Sequence, residues 1–249
     1  MTFMSILVVS DNERISKELV ELLDEQPPVE GRTVRFGCHP ANGSLLGTSV
    51  GRYRFEPVEL KTEYRDVIQK YDLIISAHCK QLFPSALVQQ RVCINVHPGH
   101  NPHNRGWYPQ VFSILNGLPL GATIHVMDEQ LDHGPIIDRE MIDVRPFDTS
   151  LTAYDRVLDL EVRLLRRNLP AILAGNYATR EPEGEGNVNL KRDFNELREI
   201  PLDEVVTFGE AIRRLRALSH PPFHNAFFVD PETGERVWVN LDLSADTPR

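Results

Sequence analysis

Residues Ser5-Ile6-Leu7-Val8-Val9 form an unbroken apolar run rich in β-branched side chains, the pattern of a strand buried on both faces of a parallel sheet. Ser10-Asp11-Asn12-Glu13 follows with the S-x-x-E form of a capping box, and Ile15, Leu19, Leu22 and Leu23 then recur at helical spacing. The alternation continues. Strands are predicted at Thr33 to Cys38, Asp72 to Ala77, Val92 to His97, Gly121 to Met127 and Ile136 to Ile142. Helices are predicted near Glu63 to Lys70, Ser85 to Gln90, Gln110 to Asn116 and Ser150 to Arg167, with Pro170 ending or kinking the last. The segment after Cys38 reads as a polar stretch rich in Gly and Ser.

Strands alternating with helices predict an α/β fold, a Rossmann-like, mostly parallel sheet with helices on both faces. Thr179 to Asn189 is a loop by composition; beyond it a helix around Gly209 to Leu218 and a hairpin, Ala226 to Val229 with Arg236 to Leu241, form a small C-terminal region. The expected division is 1–178 for the main domain and 179–249 for the appended one. No internal repeat is visible.

With 249 residues the chain is long enough to bury a substantial core. Its formal net charge of -9 gives no whole-chain attraction to nucleic acid or to an anionic membrane, so neither is expected as a partner, and any anionic ligand needs a local basic patch. The three cysteines, Cys38, Cys79 and Cys93, have no C-x-x-C spacing and suggest neither a disulfide framework nor a thiolate metal site, which fits a reducing, cytoplasmic location. The N-terminal apolar run lacks a preceding positive region and reads as a first strand rather than a signal peptide. Neither G-x-G-x-x-G nor a Walker loop occurs, which leaves nicotinamide cofactors and nucleoside triphosphates unsupported.

Candidate chemistry begins at the strand ending Asn95-Val96-His97-Pro98-Gly99. A side-chain period of two points Asn95 and His97 to one face, near the carboxyl end where open α/β sheets bind ligands. An isolated Asn-x-His is better read as a turn cap beside a satisfied, half-buried histidine. A second motif, Leu131-Asp132-His133-Gly134-Pro135, places Asp132 in a bounded loop between two predicted strands. His97, His100 and His103 recur every third residue, but Pro98, Gly99 and Pro102 exclude a helical face and no acid or thiol is spaced to complete a metal shell.

Together these residues carry a resemblance. Ile94-Asn95-Val96-His97-Pro98, a helix ending Ile114-Leu115-Asn116-Gly117, then Gly121-Ala122-Thr123-Ile124-His125-Val126-Met127-Asp128-Glu129 and Leu131 to Ile137 resemble the folate-dependent formyltransferase family. Two stretches, His78 to Pro84 and His97 to Gln110, resemble the sugar N-formyltransferases within it, as do Gly186 to Phe194 and Arg216 to Asp230. His100 and His103 depart from this pattern, standing where an aromatic is expected.

The resemblance implies N10-formyltetrahydrofolate as co-substrate, no metal, and a dTDP-linked amino-dideoxy sugar as acceptor, dTDP-4-amino-4,6-dideoxyglucose foremost. Glycinamide ribonucleotide or another small amine is the alternative acceptor, and a non-catalytic folate or nucleotide-sugar binder the alternative of another class. A homodimer is implied as well. Asn95, His97 and Asp132 match the family's catalytic residues: Asn95 and a protonated His97 would donate to the oxyanion, while Asp132 would hold His97 protonated and accept the amine proton. Phe83, Met127, Asp128, Leu131 and Asp132 are the candidates for the folate. His78, Lys80, Gln81, Asn104, Arg105, Gly106, Trp107, Tyr108, Lys191, Arg216 and Phe223 are those for the sugar nucleotide, with Phe223 a candidate to stack on the thymine.

Overall fold

The structure is a computed structural model and describes residues 2–246. In chain order its elements are β1 (Ser5–Ser10), α1 (Glu13–Asp24), β2 (Thr33–Cys38), β3 (Ser49–Val50), β4 (Tyr53–Pro57), α2 (Leu60–Lys70), β5 (Leu73–Ala77), α3 (Ser85–Gln90), β6 (Val92–His97), β7 (Arg105–Gly106), α4 (Pro109–Asn116), β8 (Leu120–Val126), β9 (Ile136–Ile142), α5 (Ser150–Leu173), β10 (Val188–Asn189), α6 (Lys191–Leu197), α7 (Phe208–Leu218), β11 (Ala226–Val229) and β12 (Arg236–Val239). The main sheet has the order β3-β4-β2-β1-β5-β6-β8-β9. From β4 to β6 its neighbours are parallel, as expected; β8 and β9 run antiparallel and close the far edge.

The alternation of β1 sorts the core. Ile6 and Val8 join the larger cluster beneath α1, α4 and α5, whereas Leu7 and Val9 join a smaller one beneath α2 and α3. In β6 the same rule puts Ile94 and Val96 in the larger cluster and Cys93 in the smaller. Asn95 and His97 therefore fall on the α2–α3 side. Phe194, Ala217, Leu218 and Ala226 bring the C-terminal elements into the larger cluster. No helix of the described residues is long and apolar enough to cross a membrane.

Several local expectations are corrected. Asn12, not Ser10, caps α1, its side chain accepting from Ile15 N at 3.0 Å, while Ser10 packs against Ser16 at 2.9 Å. The polar stretch after Cys38 contains β3 and β4, whose only buried side chain, Phe55, alternates with Arg54 and Glu56. Helix α2 starts at Leu60 because a distant residue caps it: Leu60 N donates to Gln81 Oε1 at 2.9 Å. Pro170 does not end α5, since it stands in the last turn and the helix runs on to Leu173. The loop before residue 190 contains β10, and α6 follows it.

Candidate active site

Strand pairing assembles the site. Asn95 and His97 of β6 lie directly opposite His125 and Thr123 of β8, and directly paired residues share a face. Thr123 Oγ1 donates to Gly99 O at 2.7 Å and accepts from Asn101 N at 3.1 Å, which ties the loop after His97 back onto the sheet. The loop after β8 leaves and returns at nearly one point, with Met127 N donating to Cys93 O at 2.7 Å and Val126 N to Pro135 O at 2.9 Å. This excursion lays Asp132 over β6.

The carboxylate is the hub. Asn95 Nδ2 donates to Asp132 Oδ1 at 2.8 Å, His97 Nδ1 lies 3.5 Å from Oδ2, Gly106 N donates to Oδ2 at 3.0 Å, and His125 Nε2 lies 3.8 Å from Oδ1. Asn95 Nδ2 also faces His125 Nε2 at 3.3 Å, and His125 Nδ1 lies 3.1 Å from Val126 O. If His125 donates from Nδ1 to that carbonyl, its Nε2 is an acceptor, and both hydrogens of the Asn95 amide are committed. His125, not among the expected site residues, is the fourth member of the group. Its signal was the pair of polar side chains, Thr123 and His125, spaced by two within an apolar strand.

Charge states follow from burial. Burial lowers the pKa of His97 and outweighs the negative charge of Asp132, which raises it, leaving about 4. Burial raises that of Asp132, but His97, His125 and the Gly106 N–H together bring it down to about 2. At neutral pH an ionised carboxylate thus faces a neutral imidazole, which corrects the expectation of a protonated His97. The carboxylate favours the Nδ1–H tautomer, leaving Nε2 with a lone pair. That Nε2 is buried and has no hydrogen-bond partner, and a buried nitrogen without one marks a place for chemistry. The group can take one proton from a nucleophile and stabilise the imidazolium that results.

Of the folate candidates, Phe83 and Met127 are half-buried against the smaller apolar cluster, on the face that carries Asn95. Asp128 accepts from Gln130 N at 2.8 Å and pairs with His133 at 2.6 Å, which shapes the loop. The carbonyl of Leu131 accepts from Arg105 Nη1 at 3.4 Å.

The sugar candidates divide. Lys80 is exposed, its ammonium has no partner among the described residues, and its backbone N–H is fixed by Asp11 Oδ2 at 2.8 Å. Phe223, 63% exposed, ends a line of rings running from His78 through Tyr154 and His220, with centroids 6.0, 5.6 and 5.8 Å apart. Lys191 Nζ sits over the Trp107 ring at 5.5 Å. Tyr108 takes a left-handed conformation before α4 and packs on Phe194 at 4.1 Å.

Other candidates are spent within the protein. Both ring nitrogens of His78 are engaged: Tyr154 OH lies 3.1 Å from Nδ1, and Glu161 Oε2 2.7 Å from Nε2. Asn12 Nδ2 donates to Tyr154 OH at 3.1 Å, so the tyrosine can donate onward to Nδ1 and His78 Nε2–H to the wholly buried Glu161. Gln81 caps α2, Asn104 is fully buried among amides, and Gly106 offers its N–H to Asp132. Arg105 donates to carbonyls of Leu131 and Glu185, and Arg216 to those of Arg145 and Pro146. The side chains of His78, Gln81, Asn104, Arg105 and Arg216 are thus each held by partners within the protein, although Arg105 Nε is left buried without one.

Comparison with known proteins agrees with this geometry. The profile of the formyl transferase family matches residues 6–169, and that of the N-formyltransferase dimerization C-terminal domain matches residues 193–245. The dTDP-4-amino-4,6-dideoxyglucose formyltransferase of Mycobacterium tuberculosis is 42% identical over 245 residues, 98% of this chain and 99% of that one. The crystal structure of a 4-N formyltransferase from Francisella tularensis superposes with a TM-score of 0.91 at 42% identity, covering 97% of this chain and 98% of the other. A sugar N-formyltransferase from Shewanella gives 0.88 at 36% identity, covering 98% and 99%. A buried amide, imidazole and carboxylate at a strand end, within a chain matched along nearly its whole length, leave one conclusion: the protein belongs to the formyltransferase family.

Proposed function

We propose that this protein N-formylates the amino group of a dTDP-linked amino-dideoxy sugar, dTDP-4-amino-4,6-dideoxyglucose foremost, with N10-formyltetrahydrofolate as donor. The observation that carries the reading is the unpartnered Nε2 of a neutral His97 beside an ionised Asp132, in a chain 42% identical to a 4-amino-sugar formyltransferase along 98% of its length. The sugar nitrogen attacks the formyl carbon, the bond from that carbon to N10 breaks, and the amine loses one proton as N10 gains one. His97 Nε2 accepts the amine proton and Asp132 stabilises the imidazolium, which returns the proton to the departing N10. No enzyme nucleophile is required. The weaker of the two Asn95 contacts, 3.3 Å to His125, is the one a developing oxyanion takes over.

Lys80 supplies the free cation for the diphosphate, and Phe223 the exposed ring for the base. Residues 1–178 form the catalytic unit in this reading. Residues 179–249 carry a dimer face, supported by the exposed Leu202, Val205, Phe208 and Ile212 within the stretch matching the dimerization domain. Three free cysteines suit a reducing compartment, and we place the protein in the cytoplasm. The test is incubation with N10-formyltetrahydrofolate and a panel of dTDP-3-amino and dTDP-4-amino sugars, read by product mass. Formylation of a 4-amino sugar is expected; a panel without product overturns the assignment.

A further inference from the structure

Residues 185–190 lie between the two stretches matched by the family profiles, yet their hydrogen bonds converge on the loop that holds Asp132. Strands β7 and β10 pair in parallel, with Arg105 N donating to Asn187 O at 3.0 Å and Trp107 N to Asn189 O at 2.9 Å. Asn187 N donates to Pro102 O at 3.2 Å. The side chains interlock beneath this ladder. Asn104 N donates to Asn187 Oδ1 at 2.9 Å, and Asn104 Oδ1 accepts from the amides of Asn116, Asn187 and Asn189 at 2.8, 2.8 and 3.2 Å. Asn104 Nδ2 donates to Ser113 Oγ at 2.9 Å and to Asn116 Oδ1 at 3.3 Å, so this buried amide is saturated.

Two glycines let the backbones approach this closely. At Gly186, with φ +64°, a β-carbon would run into Pro102 O; at Gly106, with φ +91°, it would run into Asn189 O. The gripped loop holds Asp132 by side chain and by backbone, Gly106 N donating to the carboxylate Oδ2 at 3.0 Å and Asn101 Nδ2 to the main-chain carbonyl of Asp132 at 2.8 Å. Arg105 spans the two layers, reaching the carbonyls of Leu131 and Glu185. Asp132 itself has φ +46°, a left-handed conformation that its surroundings hold in place.

We propose that residues 185–190 are a positioning strap for Asp132, with Asn187 and Asn189 as positioning residues that act through Asn104 and Gly106. The strap sets the height of the 101–106 loop, and the loop sets the carboxylate against Asn95 and His97. The assignment rests on the formyl-transfer reading of those three side chains. A displacement of about 1 Å at such a group can cost about 10²-fold in rate, which makes a rigid clamp worth its buried amides. Because the strap leads directly into α6, it also ties the carboxylate to the C-terminal region.

Asn187→Ala, Asn189→Ala and, as a control in the same strand, Val188→Ala test this by two readouts. In amide hydrogen exchange followed by mass spectrometry, Asn187→Ala is expected to speed exchange in peptides covering 101–107 and 130–134 while those of β1 and β5 stay protected. In steady-state assays its kcat is expected to fall about tenfold or more, with KM for both substrates within about twofold, and Val188→Ala to match the wild type. Unchanged exchange at 130–134 overturns the strap. A raised KM for the sugar nucleotide with kcat retained also overturns it, by making the segment part of the acceptor site. If Asn187→Ala does not fold, Asn189→Ala, which removes only the 3.2 Å bond, is read in its place. A wild type without turnover would sink the formyl-transfer reading, and the exchange data would still decide the strap.

Discussion

Two buried polar clusters sit at neighbouring strand ends and differ in one respect. Asn95, His97, His125 and Asp132, at the β6–β8 junction, leave the Nε2 of an imidazole without a partner. His78, Tyr154, Asn12 and Glu161, at the end of β5, form a run of hydrogen bonds in which neither nitrogen of His78 is free. Both clusters contain a histidine and a carboxylate. The open imidazole nitrogen suits the first cluster to proton transfer, whereas in the second, closed at its histidine, the atom left without a partner is Glu161 Oε1.

The largest expected effect is at Asp132. Asp132→Asn removes the charge that stabilises the imidazolium, and turnover at saturating substrates should drop by about 10²–10³-fold in a variant that still folds by circular dichroism. A turnover near the wild-type value would erase the distinction between the clusters.

Gly99→Ala should come next. A β-carbon at Gly99 would lie 2.5 Å from His97 Nε2 and 3.2 Å from Pro109, so the imidazole must tilt out of line. A fall in kcat of about 10–100-fold is expected, measured beside an unchanged circular dichroism spectrum.

Acid should separate the groups by stability. The folded pKa of His97 is about 4, below its ordinary 6.5, so between these values the unfolded chain takes up a proton that the folded chain refuses. Stability therefore falls as pH drops from about 6.5 towards 4; His100, also lowered to about 4, and His220, lowered too, add to the same slope. Asp132 acts in a lower window, its contribution present above 3.8 and lost as pH falls towards 2. Urea midpoints measured at about pH 7 and about pH 5 should differ less in His97→Gln than in the wild type. Equal differences would show that His97 is not the buried neutral base.

The smallest effect is expected from Glu161→Gln. The new side-chain carbonyl still accepts from His78 Nε2, so turnover should stay within about threefold of the wild type. A loss on the scale of Asp132→Asn would make the closed cluster a participant.

Much of this was legible in the sequence where a single segment determines its own environment. β1 announces itself by an unbroken apolar run and β6 by one interrupted only at Asn95 and His97, which the period of two already put on one face. What stayed hidden depends on partners far along the chain. Gln81 caps a helix 21 residues earlier, β7 and β10 are too short to show any period, and the neutral state of His97 is set by burial that no motif records. Lys80 and Arg105 were alike candidates for the sugar nucleotide, and only packing shows that Arg105 reaches the carbonyls of Leu131 and Glu185 while Lys80 stays exposed.

The opposition of Asn95 to His125 and of His97 to Thr123 has a consequence for how such a chain can change over time. Substitutions among the apolar neighbours adjust the packing by degrees, but strands alternate sides at every residue, so one inserted or deleted residue in β6 would turn the amide and the imidazole into the cluster beneath α5. The composition would be almost unaltered and the chemistry gone, so lineages of this site can drift in sequence but not in length across these two strands.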